Sequence, residues 1–467
     1  MNIHVSKNDI IWSYLGYVLK VCSSIILLPL VLQKLTTDEL GVWYVFLSIG
    51  ALIQLLDLGF TPTIMRNISY AFAGATRLQR KGIDEQQFIQ GEPNYGLIYK
   101  LISISTKIYF YISIVALLLL ITIGTYYIAY ITKKIENINI IIAWLIYSIG
   151  IFLNLYYSYW IPVLIGIGKI KESQKATVVS QLVYLFIGFI GIMQSFGLIA
   201  ISLAFAISGL VLREVSKYYF KGSIPDKLDI KNSKEEDKEL FSIVWYTASK
   251  MGMVFVGSFL IVQANTLICA SYFDLRTTAQ YGLTLQLFSV VATFSSIMFR
   301  SYLPIINEAR IKKSQQLLKK YLSLTVVLGW LSFLLGALII IFFGEWILHF
   351  IGSKTTLLPR IMLIFMSMYL FFEFNHGAIF ATFIITNNEV PFVKASLVSG
   401  SLIVACSLAL VYSTDWGLWS ILISQALIQV AYNNWKWPRL VLMQLNMSLG
   451  QLIYRGFYEI FNKKEGQ

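Results

Sequence analysis

Charged residues are scarce in this sequence. Asp, Glu, Lys and Arg make up 13% of its 467 residues, about half of the ~25% found in a typical soluble domain. Hydrophobic residues make up 57%, and the mean hydropathy is +0.69. A soluble protein this apolar would expose patches large enough to aggregate. The composition therefore excludes an ordinary soluble domain and favours a chain embedded in a lipid bilayer.

Cysteine and histidine are also rare, with three residues of each. The cysteines, Cys22, Cys269 and Cys406, each lie inside an apolar run, which excludes a disulfide framework and a metal-ligand spacing. The histidines are too scattered to bind a metal, and neither G-x-x-x-x-G-K-[ST] nor G-x-S-x-G occurs. We therefore predict a protein that is not an enzyme, with no catalytic residues, no metal and no cofactor.

Long apolar runs fill most of the chain. About 20 apolar residues cross the hydrocarbon core of a bilayer as a helix, and Trp or Tyr marks many run ends, as expected at a membrane interface. The sequence predicts an all-α polytopic membrane protein with about 12 transmembrane helices. The predicted spans lie near residues 10–32, 41–65, 108–131, 138–162, 176–194, 196–215, 245–272, 278–300, 321–343, 360–385, 392–413 and 416–437.

The distribution of Lys and Arg predicts the orientation of these spans. If the N-terminus is cytoplasmic, 30 of the 37 basic residues fall in cytoplasmic segments or near the cytoplasmic ends of spans, and Lys20 lies midway along a span. This excess satisfies the positive-inside rule and places both termini in the cytoplasm. The net charge of +13 then faces lipid headgroups, so we expect membrane lipids and no nucleic acid as partners. The basic residues on the outside are Lys34, Lys133, Lys134, Arg276, Lys354 and Arg360.

The chain has the pattern of two related halves. A basic cytoplasmic segment that includes KNSKEEDKE (231–239) separates six predicted spans from six more, and the second span of each half ends near an arginine, Arg66 or Arg300. Such a repeat predicts two six-helix bundles around a central cavity, as in transporters. The predicted domains are an N-terminal bundle (1–218), a linker (219–244), a C-terminal bundle (245–437) and a cytoplasmic or interfacial tail (438–467). Within the tail, 440–461 fits either an interfacial helix or an extra span.

Lys20 is the most unusual polar residue, because it lies midway along the first span. A basic group at mid-bilayer costs about 2.5–3.5 kcal/mol on insertion scales, so it needs water or a partner. Lys20 either faces a wet cavity and meets an anion, or pairs structurally with Glu373 or Asp57. We take it as the principal candidate for substrate binding. Candidates at the cytoplasmic side are Arg66, Lys250 and Arg300, and polar stripes add Gln54 and Gln286.

Three ionisable residues in the spans are candidates for ion coupling. Glu373 and His376 lie one turn apart in the tenth predicted span and form either a proton or cation site or a satisfied polar cluster. Asp57, near the cytoplasmic end of the second span, is a further candidate. Alternatively, it pairs with Arg66 or caps a helix break at Gly59 or Pro62.

Residues 35–67, LTTDELGVWYVFLSIGALIQLLDLGFTPTIMRN, carry a resemblance to a known family. They resemble the first outside turn and second helix of the O-antigen (Wzx-type) flippases, which belong to the superfamily of multidrug, oligosaccharidyl-lipid and polysaccharide exporters. NISYAFAGA (67–75) is similar to a subset of that family. The residues that carry the likeness are Glu39, Gly41, Trp43 and Tyr44, the DLG at Asp57–Gly59, and Arg66.

The resemblance implies a V-shaped pair of bundles with a cationic cavity in a bacterial inner membrane. It implies transport of undecaprenyl-pyrophosphate-linked oligosaccharide repeat units to the outer leaflet, coupled to H+ or Na+, beside a polysaccharide polymerase and a chain-length regulator. Drug antiporters of the superfamily carry a cation-binding acid in the tenth helix, and Glu373 shares only that helix number. The alternatives are a multidrug or cation antiporter on the same fold and, less favoured, a membrane glycan polymerase.

Overall fold

In the computed structural model, 86% of the described residues are helical and none of them forms a strand. This confirms the all-α membrane architecture predicted from the apolar runs. Lys250 and most of the predicted linker, 219–244, lie outside the described residues. The described residues are 7–57, 59–76, 78, 92–135, 137–225, 240–242, 245, 252–253, 255–312, 314–386 and 391–461.

Ten helices in the described part of the chain are long and apolar enough to cross a membrane. Two predicted spans are not among these ten. The first of the twelve predicted spans corresponds to α1 (Lys7–Lys34). The twelfth predicted span is interrupted at Tyr432. The ten are Thr37–Asp57, Tyr95–Ile131, Ile138–Gly166, Ile170–Met193, Gly197–Lys221, Phe255–Tyr272, Leu275–Leu303, Gln315–Phe350, Arg360–Ile385 and Val393–Ser413.

The chain divides into two compact units, Met1–Val256 and Gly257–Gln467. In the first unit, α8 packs against α1 and α9, and α6 packs against α9 and α4. Its helices are α1 (Lys7–Lys34), α2 (Thr37–Gln54), α3 (Phe60–Phe72), α4 (Tyr95–Leu119), α5 (Thr125–Ile131), α6 (Ile138–Tyr156), α7 (Trp160–Gly166), α8 (Ile170–Met193) and α9 (Gly197–Lys221).

The start of α2 shows why the segment after residue 35 folds as it does. Thr36 accepts a hydrogen bond from the backbone N–H of Glu39, and the Glu39 carboxylate accepts one from the backbone N–H of Thr36. This capping box satisfies two N–H groups that would otherwise lack partners. The next turns place Phe46 against Trp144 and Tyr147, with ring centroids 5.0 and 5.4 Å apart. The aromatic residues in this part of α2 therefore pack in the protein core.

The second unit is built on two long helices, α11 and α12, which pack against each other. A π-helical segment, Phe374–Ala381, joins α13 to α14. The helices of this unit are α10 (Ala264–Tyr272), α11 (Leu275–Ile311), α12 (Gln315–Phe350), α13 (Arg360–Glu373), α14 (Thr382–Ile385), α15 (Val393–Ser413), α16 (Trp419–Ala431), α17 (Asn433–Gln444) and α18 (Leu449–Phe461).

The C-terminal helix α18 is short and amphipathic. Its 13 residues extend about 20 Å, less than the ~30 Å of hydrocarbon that a spanning helix must cross. It packs on α12, with Gly456 buried and a salt bridge of 3.0 Å between Glu459 and Lys320. Of the two interpretations of residues 440–461, this geometry favours a helix at the membrane interface.

Candidate transport site

The predicted basic residues occupy exposed positions. Lys20 lies on α1, Arg66 on α3 and Arg300 on α11, and each side chain is exposed. Lys250 lies outside the described residues. Exposed cations within or near spans need an anion, a headgroup or water. The three described side chains therefore lie on the surface of their helices, and Lys20 is the one farthest from either end of its helix.

Lys20 lies beside a tightly packed seam between α1 and α8. A side chain at Gly16 would collide with the Gln174 amide, and the Ser23 hydroxyl donates to Gln181 Oε1 at 2.7 Å. Lys20 falls between these two positions in sequence. In the described part of the chain, salt bridges join Arg213 to Glu214 and Lys320 to Glu459, and neither involves the Lys20 ammonium.

Asp57 lies where α2 ends, in a single 3-10 turn, Leu55–Asp57. Gly59 follows with φ of 75°, a left-handed conformation that glycine adopts without strain, and α3 then begins. The Asp57 carboxylate accepts hydrogen bonds from the Thr61 hydroxyl at 3.0 Å and the Thr61 backbone N–H at 3.4 Å. The hydroxyl of the fully buried Tyr109 also donates to it. Asp57 thus caps the helix break and is held by neutral donors.

Glu373 belongs to a chain of neutral hydrogen-bonding side chains in the second unit. Gln425 Nε2 donates to Glu373 Oε1 at 2.8 Å, and Asn265 Nδ2 donates to Gln425 Oε1 at 2.9 Å. The Ser407 hydroxyl donates to Asn265 Oδ1 at 3.4 Å. Asn265 and Gln425 are 0 and 1% exposed. An acid in such a site, without a described cationic partner, can bind a proton or a cation.

The residues that follow Glu373 form the π-helical segment, Phe374–Ala381. π-Helical turns are rare and frequently occur at functional sites. His376 Nδ1 lies 3.1 Å from the carbonyl oxygen of Phe372, while Asn375 Oδ1 accepts a 2.8 Å bond from Trp330 Nε1. Glu373 and His376 therefore have separate partners, although the sequence places them one turn apart.

Hydroxyl groups along α11 donate hydrogen bonds within their own helix. Ser289 donates to Leu285 O at 2.7 Å, and Thr293 donates to Ser289 O at 2.8 Å. Such back-bonding uses the hydroxyl proton within the helix, and only the oxygen can still accept a hydrogen bond. Gln286, on the same helix, is half-buried, and Gln54 is exposed at the end of α2.

The sequence did not indicate the hydrogen-bond partners of Asp57 and Glu373. Tyr109 reaches Asp57 from 52 residues away, and Gln425 reaches Glu373 from the same separation. Helical spacing relates only residues within a few turns. Gln425 could have been noticed, because it is the first of several polar residues at helical spacing in the last predicted span. Tyr109 could not be distinguished from the aromatic residues that are expected at a membrane interface.

Comparison with known proteins identifies the fold. No family model and no curated sequence matches the chain. Lipid II flippase MurJ, in an inward closed conformation, matches with a TM-score of 0.63 over 99% of this chain and 94% of that chain, at 10% identity. An inward-facing multidrug resistance MATE family transporter of the MOP superfamily also gives 0.63, over 92% and 95%, at 12% identity.

A further match is the MATE multidrug transporter DinF-BH, with a TM-score of 0.62 over 97% of this chain and 98% of that chain, at 10% identity. At such identities the likeness shows the fold alone. The chain therefore has the fold of MOP-superfamily transporters and is a multi-pass membrane protein. Its structural neighbours are transporters and flippases, not enzymes.

Proposed function

We propose that this chain is a flippase that moves undecaprenyl-pyrophosphate-linked oligosaccharide repeat units across the bacterial inner membrane. It works by alternating access and draws energy from an ion gradient. The observation that carries the proposal is the exposed position of Lys20 within α1, with no described carboxylate paired to it. The fold shared with lipid II flippase MurJ and the resemblance of residues 35–67 support the same class.

The chemistry of the cargo explains why a mid-span cation matters. A polyprenyl tail can remain in lipid, but transfer of a bare pyrophosphate into hydrocarbon costs tens of kcal/mol by Born estimates. An ammonium group replaces water with charge-assisted hydrogen bonds. In this proposal Lys20 binds the phosphate during transit, and Arg66, Lys250 and Arg300 attract it at the cytoplasmic side. Gln54 and Gln286 bond the sugar hydroxyls.

We assign ion coupling to Asp57 and Glu373, whose carboxylates accept hydrogen bonds from uncharged groups. Glu373 contacts Gln425, and Asp57 contacts Thr61 and Tyr109, so a proton or Na+ would neutralise either carboxylate without displacing a cationic side chain. His376, within the π-helical segment, is a further proton carrier in this proposal. A polysaccharide polymerase and a chain-length regulator would act beside the protein.

The test is complementation of a flippase-null strain with expression-matched variants. We expect Lys20→Ala to abolish surface glycan and Lys20→Arg to retain part of it, because Arg keeps the charge but changes the geometry. Lys133→Ala is the matched control, since Lys133 is exposed in a turn between spans. Full complementation by Lys20→Ala would contradict the proposal.

A second candidate is a multidrug antiporter, which the fold supports equally. The Glu373 network favours it, because a cationic drug or its exchanging ion needs an acid. Drug-susceptibility assays in an efflux-deficient strain separate the two functions. Increased resistance that depends on Glu373, without glycan complementation, would support the antiporter.

A further inference from the structure

A cavity of about 640 Å³ lies in the second unit, and its lining contains none of the residues assigned above to cargo and ion coupling. One face of α17 forms its longest wall. The opposite walls come from Trp330 on α12, the end of α13, and residues 446–449, which lead from α17 into the first residue of α18. The same amphipathic helix α18 that packs on α12 therefore closes one end of the cavity.

The polar residues of this cavity point to a ligand. Asn434 lines it and is only 9% exposed, yet neither its amide nitrogen nor its amide oxygen forms a hydrogen bond of normal geometry in the described part of the chain, although His376 is a neighbour. A buried amide without such bonds is energetically unfavourable, so a ligand that bonds to it would stabilise the site. Arg439, five residues further along α17, also lines the cavity with an exposed side chain. Together they offer one positive charge and one amide.

Most of the remaining lining is apolar and in part outward-facing, and its other polar residues are Asn375, Asn446 and Ser448. Phe371 and Phe372 line one side, and Trp435, Met443 and Leu449 line the other. Met443 is 67% exposed and Leu449 is 50% exposed. On a membrane protein, exposed apolar side chains beside tryptophan and arginine are typical of the headgroup boundary. The cavity therefore joins an apolar, lipid-accessible surface to a cationic rim.

We propose that this cavity binds one anionic phospholipid of the bilayer, independently of the transported cargo. Its phosphodiester contacts Arg439 and Asn434, and its acyl chains lie along Phe372 and Met443. The single cation matches the single negative charge of a phosphodiester, whereas a pyrophosphate carries more charge than one arginine neutralises. Because α18 borders the site, the bound lipid also holds this helix against α12.

The experiment measures lipid binding to the purified full-length protein in a neutral detergent by native mass spectrometry. The probes are phosphatidylglycerol, phosphatidylcholine and water-soluble glycerol 1-phosphate. We expect phosphatidylglycerol to bind preferentially, and Arg439→Gln and Asn434→Leu each to weaken it about tenfold, the size of one charge-assisted hydrogen bond. Lys436→Gln is the matched control, because it removes a charge from the same helix outside the cavity lining.

Three results would overturn the proposal. Equal retention of the two phospholipids would show no headgroup recognition. Equal losses in Arg439→Gln and Lys436→Gln would indicate general interfacial charge. Binding of glycerol 1-phosphate as tight as that of phosphatidylglycerol would identify a soluble-phosphate site. Arg439 is exposed, so its variant keeps the test decisive if Asn434→Leu fails to fold.

Discussion

At the scale of single residues, the acids Asp57 and Glu373 have similar surroundings. Asp57 and Glu373 each lie at the edge of a departure from α-helix, a 3-10 turn in one case and a π-helical segment in the other. Each is held by uncharged donors among the described residues. Low local dielectric makes an uncompensated carboxylate costly, which is why the proposal assigns ion coupling to such acids.

Glu373→Gln tests the coupling role of the second acid. The amide keeps the side-chain shape but cannot take up a proton or a cation. We expect loss of gradient-dependent transport in proteoliposomes with cargo binding retained within about twofold. Asp415→Asn, at an exposed acid outside the described spans, is the control. Gradient-driven transport at the wild-type rate in Glu373→Gln would exclude Glu373 as the coupling group.

Tyr109→Phe tests the cluster around Asp57. The change removes one donor to a carboxylate, and hydrogen bonds to charged groups contribute about 1.5–3 kcal/mol. We expect a lower thermal unfolding midpoint in detergent. Tyr111→Phe on the same helix is the control, because Tyr111 is 69% exposed. An equal shift in both variants would show that the Tyr109 hydroxyl does not stabilise Asp57.

At the scale of helices, local contacts determine where a helix begins and how closely two helices approach each other. The capping box of Thr36 and Glu39 starts α2. Gly456 allows α18 to lie on α12, because a Cβ there would come within 2.6 Å of the Ser323 carbonyl oxygen. Backbone atoms cannot move aside as a flexible side chain can, so these positions constrain packing strongly.

For the capping box, we expect Thr36→Ala and Glu39→Ala each to destabilise the protein by about 0.5–2 kcal/mol. Glu39→Gln should stay near wild type, because glutamine can also accept the N-cap N–H bond. Thermal unfolding in detergent is the measurement. A loss in Glu39→Gln as large as that in Glu39→Ala would point to the charge of Glu39 rather than to the cap.

For α18, we expect Gly456→Ala to cost about 1–3 kcal/mol through overpacking or to release the helix from α12. Gly450→Ala is the matched control on the same helix, because the nearest atom to its added Cβ is 4.0 Å away. Protease accessibility of the C-terminal segment and the unfolding midpoint are the two measurements. Identical behaviour of the two variants would contradict the packing seen at Gly456.

At the scale of the whole molecule, the basic residues predict orientation. Lys133, in a turn between spans, should lie outside, and Lys217, near the end of α9, should lie in the cytoplasm. Single cysteines at these positions, in a background without native cysteines, report this through an impermeant maleimide. We expect labelling of Lys133→Cys in intact spheroplasts and of Lys217→Cys only after permeabilisation. The reverse pattern would invert the topology.

Hydropathy alone was enough to predict the class of protein. Apolar runs of span length can satisfy their backbone groups in lipid only as helices, so the all-α membrane architecture followed from hydropathy. The candidate acids were also visible, because ionisable residues are rare inside apolar runs. These signals are local: each depends on residues within one helix.

Which side chains meet depends on the packing of helices that are distant in sequence. The bonds from Tyr109 to Asp57 and from Gln425 to Glu373 depend on how helices distant in sequence pack. The interruption of the last predicted span at Tyr432 and the cavity around Asn434 depend on the same packing. Hydropathy is a property of single residues, whereas hydrogen-bond satisfaction in a low-dielectric interior is a property of pairs that only the fold brings together.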